Sequence, residues 1–182
     1  MTIASINFAV LVALALGIYY VLPRKQQNYW LLFLSYVFVS TWDWRFAFVL
    51  AAVTAFNYKM AQFLVRSDVN QRRLLWLGIG INLAILLFFR VEEFFIPGFT
   101  NLLSRIGVAS GEGALRVLIP IGISFYALQN ISYLVDVFRG QLAAETSWTN
   151  FALYMAYFPK LIAGPIERAN KFLPQLNENR VV

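Results

Sequence analysis

Leu118-Ile-Pro-Ile-Gly-Ile-Ser-Phe-Tyr-Ala-Leu-Gln-Asn-Ile-Ser-Tyr-Leu-Val-Asp-Val-Phe-Arg-Gly140 is the stretch whose reading decides the fold. A helix needs roughly 20 mostly apolar residues to cross a hydrocarbon core of about 30 Å, and the run from Val117 to Phe138 meets that demand before Arg139 and Gly140 end it. On a helical wheel Gln129, Ser132, Tyr133 and Asp136 fall at i, i+3, i+4 and i+7, with Gly122, Phe125 and Tyr126 continuing that face toward the start. The other side, Ala127, Leu128, Ile131, Leu134, Val135 and Phe138, is apolar throughout. Such a helix is expected to turn its apolar side to lipid and its polar stripe to a bundle interior or a wet cavity. Pro120 and Gly122 predict a kink or a broken first turn.

The same reading extends over the rest of the chain. Further spans are predicted over Ile3–Leu22, Tyr29–Trp42, Phe46–Val65 and Leu74–Phe89, the second flanked by Trp30, Trp42 and Trp44 at its two ends as in interfacial aromatic belts. Arg24 and Lys25 follow the first apolar run rather than precede it, which reads as a retained helix and not a cleavable signal. From Arg90 the chain becomes mixed in charge and carries Pro97, Gly98, Gly107, Gly111 and Gly113, read as an interfacial helix over Phe94–Ile106 followed by a loop. The apolar segment Trp148–Ala163 is short and broken by Pro159, and so reads as re-entrant or interfacial. The polar tail from Glu167 is expected on the membrane surface. The expectation is an all-α polytopic transmembrane bundle: a single membrane domain over residues 1–182, with about five spanning helices and one proline-broken segment.

Composition agrees, since 60% of the 182 residues are hydrophobic and 13% charged, against about 25% charged in soluble domains. There is no cysteine and no histidine. Within these residues that excludes disulfides, the common zinc and iron–sulfur ligand sets, and any triad that needs an imidazole. The net charge of +6 reads as a determinant of membrane orientation and not of nucleic-acid binding. With the N-terminus outside, inside segments hold Arg24, Lys25, Arg66, Arg72, Arg73 and Arg139, and outside segments Arg45, Arg90, Arg105 and Arg116. The bias favours that topology modestly.

Two segments could hold chemistry. The stripe on the 118–140 helix either lines a substrate passage or glues helices together, with Asp136 pairing with Arg139 near the interface. In Phe158-Pro-Lys-Leu-Ile-Ala-Gly-Pro-Ile-Glu-Arg168 the two prolines and Gly164 forbid a continuous helix. Lys160 there either faces an anionic group or snorkels to the headgroups. Asn57 and Lys59 read as helix pairing or snorkelling. Glu92 and Glu93, adjacent on a helix, point in different directions and do not form an acid–base pair. No phosphate loop, nucleophile elbow or catalytic dyad is present.

Pro120-Ile-Gly-Ile-Ser-Phe-Tyr126, Tyr133-Leu-Val-Asp-Val-Phe-Arg-Gly140, Phe158 to Arg168 and Phe172-Leu-Pro-Gln-Leu176, in that order, resemble the membrane-bound O-acyltransferase family. The likeness is to its bacterial branch of alginate O-acetylation and D-alanyl transfer. Tyr19-Tyr-Val-Leu-Pro23 and Trp30-Leu-Leu-Phe-Leu-Ser-Tyr36 add to the likeness, which covers essentially the whole chain. The resemblance implies transfer of an acyl group, acetyl foremost, from an inside thioester-type donor to hydroxyls of an extracytoplasmic polysaccharide, through a funnel in a helical bundle. It implies the bacterial inner membrane, membrane lipids as surroundings, and periplasmic acyltransferase proteins as partners. No cofactor and no metal are implied.

Family members are more than twice this long and carry an essential histidine in a later segment. The chain is therefore expected to be the N-terminal portion of such a protein, inactive alone, with no catalytic residue of its own. By analogy Pro120, Gly122, Ser124, Tyr126, Gln129, Tyr133, Asp136, Arg139, Lys160, Gly164, Pro165 and Arg168 would line or shape the passage. Relatives often carry glutamine at position 160, where this chain has lysine. A transporter or export component, or a non-catalytic membrane scaffold, would use a kinked helix and a broken segment equally well.

Overall fold

The computed structural model describes residues 15, 17–67, 70–105, 122–163 and 167–177. Most of the predicted first span, the start of the fifth, and Pro120, Gly164 and Pro165 lie outside these residues. The described chain is all-α. Its helices are α1 (Arg24–Ser40), α2 (Trp44–Arg66), α3 (Gln71–Arg105), α4 (Ile123–Phe138), α5 (Trp148–Ala156), α6 (Phe158–Ala163) and α7 (Ala169–Asn177).

The boundaries follow from local chemistry. Asp43 caps α2, its carboxylate accepting the Arg45 N–H at 2.8 Å, so the helix starts ahead of the apolar run at Phe46. At 23 residues α2 is about 34 Å long, enough to cross the hydrocarbon core. Among the described residues, α2 and the Gln71–Arg90 part of α3 are long and apolar enough to cross a membrane. Their windows are 44% and 17% buried within the chain, which puts α3 at the periphery.

α4 ends in a Schellman turn. Gly140 takes φ +68°, its N–H reaches the Val137 carbonyl at 3.1 Å, and the Gln141 N–H reaches the Asp136 carbonyl at 3.0 Å. Gly122, at φ +76°, serves the other end.

The mixed-charge stretch after Arg90 corrects one expectation. In place of a separate interfacial helix over Phe94–Ile106, α3 continues unbroken for 35 residues to Arg105. Arginine and glutamate end an apolar span, but both are good helix formers and do not end a helix.

The break in the short apolar segment is present. Tyr157 is non-helical at φ −53°, ψ 106° and divides α5 from α6. Pro159 lacks the N–H that a continuous helix would direct to Met155, and its ring would clash with that carbonyl. The freed Phe158 N–H is taken by the Ser35 hydroxyl of α1 at 3.3 Å, so the irregular backbone is satisfied by protein.

α5 is the axle of the bundle. Asn150 through Ala156 are all buried, and a helix apolar all round belongs in a core. It packs against α1, α2, α4 and α7. Asn28 of α1 donates to both the Asn150 side chain (3.1 Å) and the Leu176 carbonyl (3.3 Å), joining α1, α5 and α7.

The tail after Glu167, read from sequence as simply polar, forms the amphipathic helix α7. Ala169, Phe172, Leu173 and Leu176 at i, i+3, i+4, i+7 enter the core, while Asn170, Lys171, Pro174 and Gln175 stay exposed.

The α2–α3 contact is fixed by an amide pair. Asn57 and Asn82 exchange hydrogen bonds of 3.1 and 2.8 Å, and each also donates to a carbonyl of its own helix, Val53 or Gly78, at 2.8 Å. Of the two readings open for Asn57, helix pairing is the one found; Lys59 is exposed.

A candidate site around Tyr154

α4 packs on α2, α3 and α5 together, so its buried arc is wider than its polar stripe. This corrects the expectation of a uniformly lipid-facing side. Ala127 and Leu134 are fully buried, Phe125 is exposed, and Ser132 is half-buried. Gly78 of α3 makes room for Leu134, whose Cδ1 lies 2.8 Å from where a Cβ on residue 78 would sit.

Four of the residues singled out from sequence gather around one that was not, Tyr154 of α5. Gln129 donates from Nε2 to the Tyr154 carbonyl at 2.8 Å. The ring of Tyr133 lies 6.4 Å from that of Tyr154 and 4.8 Å from Phe151, while its hydroxyl accepts the Glu145 N–H at 2.9 Å. Lys160 places Nζ 4.3 Å from the Tyr154 ring centroid and 3.9 Å from that of Phe172 on α7. The Tyr154 hydroxyl donates to the Glu167 carbonyl at 3.3 Å. Asp136 is near enough to act on Tyr154 electrostatically.

Two charged atoms here have no hydrogen-bond partner, Asp136 Oδ2 and Lys160 Nζ, and both are buried. Asp136 and Arg139 form no ion pair, contrary to one of the two readings of the stripe; Arg139 is exposed past the end of α4. Lys160 does not snorkel. Two aromatic faces hold its ammonium, an arrangement worth about 0.5–2 kcal/mol depending on desolvation. α6, at six residues, is too short to cross a membrane. Burial there pulls the ammonium down to about 8, against the opposing pull of the Glu167 carboxylate.

The other candidates lie apart from Tyr154. Ser124 accepts a hydrogen bond from Arg90 at 3.3 Å, tying α4 to α3. Tyr126 is buried in the apolar cluster of Val39, Phe46, Leu50, Val53 and Ala156, its hydroxyl without a partner. Gly122 serves the start of α4, and Arg168 is exposed ahead of α7. Sequence reasoning passed over Asn130, which is 1% exposed with neither amide atom partnered. It also missed Tyr154, although Phe151 and Tyr154, with Tyr157 just past the helix end, recur at three-residue spacing as an aromatic edge.

The cluster holds and orients polar groups inside a bundle. It contains no side chain suited to general-base work on a hydroxyl at neutral pH apart from the lysine amine, which is itself packed between rings. Among the described residues no group of side chains could hold a metal ion.

The described residues form an all-α bundle with a buried polar cluster, a proline-broken segment and two helices long and apolar enough to cross a membrane. Over about nine tenths of its length the chain is similar to curated O-acetylases and an O-acetyltransferase, in keeping with the resemblance of its motifs to the membrane-bound O-acyltransferases.

It is 37% identical over 167 residues to the probable alginate O-acetylase of Azotobacter vinelandii, covering 90% of this chain and 33% of that protein. To the Pseudomonas putida protein of the same name it is 39% identical over 166 residues, covering 89% of this chain and 34% of that one. To the peptidoglycan O-acetyltransferase of Helicobacter pylori the identity is 29% over 191 aligned positions, covering 88% and 35% respectively. The chain thus spans about a third of the length of the curated relatives it matches. No protein-family model matches it, and no solved structure does.

Proposed function

We propose that this chain forms part of a multi-pass membrane O-acetyltransferase that places acetyl groups on hydroxyls of an extracytoplasmic polysaccharide. The observation that carries the reading is 35–39% identity to alginate O-acetylases across about 90% of the chain. The location is the bacterial inner membrane with the N-terminus outside, in keeping with the basic loops. The donor is a thioester on the inner side, and periplasmic acyltransferases are the partner proteins.

In this reading the Tyr154 cluster is part of the passage wall. Gln129 fixes the α5 backbone against α4, and Lys160 and Asp136 supply unpaired charge where a polar substrate group would pass. Pro120, Gly164 and Pro165 are assigned to the passage by the resemblance of their motifs alone. These 182 residues hold no histidine, and the Lys160 amine is packed between two rings, so in this reading the chain alone does not turn over donor.

The test is a chimera in which this chain replaces the matching third of an alginate O-acetylase, expressed in a strain lacking its own copy. Restored acetyl ester on the polymer supports the proposal. Donor turnover by the 182-residue chain alone overturns the partial-enzyme reading. A chimera that inserts and folds yet leaves the polymer unacetylated overturns the functional reading.

A further inference from the structure

Two buried side chains on one face of α4 lack the bonds their chemistry demands. Among the described residues five buried side-chain atoms have no hydrogen-bond partner, and three of them are the Tyr126 hydroxyl oxygen and the Oδ1 and Nδ2 of Asn130. Tyr126 is 2% exposed and Asn130 1%, and they stand at i and i+4 on the helix. Each unmatched buried polar atom is costly, and three of them within one turn call for a common partner.

Two other asparagines show what a buried amide does by default here. Asn57 and Asn82 each give Nδ2 to the carbonyl four residues earlier in their own helix, Val53 or Gly78, and give their remaining groups to each other. Asn130 has the same option at the Tyr126 carbonyl and does not take it. Nor does it join the pair, although it lies at the same level. Leu134 packs at Gly78 and Ser124 meets Arg90, so α3 and α4 run antiparallel with Asn130 across from Asn82. Both Nδ2 hydrogens of Asn57 and of Asn82 are already engaged, so neither can serve the Asn130 oxygen.

The three atoms define the partner. Asn130 offers hydrogens from Nδ2 and a bare acceptor in Oδ1, and the Tyr126 hydroxyl can act either way. A cation would meet the Nδ2 hydrogens, an anion would meet Oδ1, and neither residue carries a charge to balance an ion. With so little of either residue exposed, no lipid chain and no second protein reaches them. A small neutral molecule that donates and accepts at once fits, and water is that molecule. Four residues of helix rise about 6 Å, and a single water joins polar atoms about 5.6 Å apart, so one or two waters span the pair.

We infer that Tyr126 and Asn130 bind one or two structural waters inside the bundle. The site lies on the flank of α4 that Leu134, one turn after Asn130, packs against Gly78 of α3 and Met60 of α2. Gln129 leaves the same helix on the other flank, toward Tyr154. The waters therefore belong to the packing of α4 on its neighbours and not to the Tyr154 cluster, and the inference does not rest on acetyl transfer.

The test is NMR of the full chain in detergent micelles with its asparagine side-chain nitrogens isotope-labelled. Cross-relaxation from bound water is expected at the Asn130 Nδ2 hydrogens and absent at those of Asn57 and Asn82, which serve as internal controls. Tyr126→Phe removes one oxygen and nothing else. It is expected to raise the unfolding equilibrium constant about fivefold, the worth of one net hydrogen bond.

An Asn130 amide with no water contact overturns the inference. So does a Tyr126→Phe protein as stable as the wild type or more stable, the mark of a hydroxyl that was never bonded. Should that variant fail to fold, the wild-type spectrum decides alone. Neither readout involves the polymer or the acyl donor, so failure here and failure of the enzymatic reading are told apart.

Discussion

Asn57 and Asn82 offer the sharpest quantitative check on the packing. Asn57→Leu keeps a side chain of similar size but removes both bonds to Asn82 and the one to the Val53 carbonyl. The Val53 carbonyl remains inside the helical ladder. The Asn82 Oδ1 is then buried with no donor, while its Nδ2 keeps the Gly78 carbonyl at 2.8 Å. One unmatched buried acceptor costs about 1–3 kcal/mol. Asn82→Leu is the mirror case, orphaning the Asn57 oxygen at similar cost.

The double change removes both amides, leaves no orphan and creates an apolar contact. It is expected within about 1 kcal/mol of the wild type, because replacing both partners is nearly neutral where replacing one is not. With each single change costing about 1–3 kcal/mol and the double at most about 1, the cycle yields a coupling of about 1 kcal/mol or more, at or above the upper end of what interhelical bonds show in membranes. Reversible unfolding in mixed detergent micelles, followed by tryptophan fluorescence, measures all four proteins. A double variant whose loss equals the sum of the two singles would refute the amide-pair account.

Further outcomes follow from the same contacts. Gly78→Val drives a side chain against Leu134 and Met60, whose nearest atoms lie 2.8 and 3.2 Å from the first added carbon; the expected loss is about 1–3 kcal/mol in the same assay. Gly80→Ala meets nothing within 4 Å and gains up to about 1 kcal/mol of helix propensity. Gly140→Ala forces an L side chain to φ +68° in the Schellman turn, at a cost of about 1–2 kcal/mol with no change in packing.

Lys160 gives stability a pH dependence. Its folded value near 8 lies below the unfolded 10.5, so between these limits the unfolded chain binds the extra proton and stability rises with pH. The full rise is about 3 kcal/mol for a shift of this size, less about 0.5–2 kcal/mol for the attraction of the ring faces to the ammonium. Lys160→Met abolishes the slope in a pH series of unfolding curves, and an unchanged slope would contradict the burial of this amine.

Much of the bundle was legible because a membrane imposes a length rule on apolar runs. Phe46–Val65 and the observed Trp44–Arg66 differ by the cap at Asp43, a local bond that hydropathy does not register. At Arg90 the charge ends only the part of α3 apolar enough for lipid, while the helix itself runs on to Arg105. The proline break at Tyr157 was readable because it is covalent: Pro159 has no N–H to give.

The site was half legible. Gln129, Asp136 and Lys160 stand out as polar groups in apolar surroundings. Tyr154, the residue they surround, looks from sequence like one more aromatic in a hydrophobic run. Which face of α4 is buried also depended on the notch at Gly78 and on three helices arriving at once, and neither is a property of the α4 sequence.

The central claim is that this chain is a working part of a polysaccharide O-acetyltransferase, with the Tyr154 cluster in its passage. Acetyl ester content of the polymer made by the chimera tests it most directly, compared among the unaltered chain, Gln129→Leu and Lys160→Met at equal membrane levels. The account predicts acetylation with the unaltered chain and a loss of tenfold or more with either substitution. Full acetylation by both variants would contradict the role given to the cluster, and no acetylation by a folded, membrane-inserted chimera would contradict the function itself.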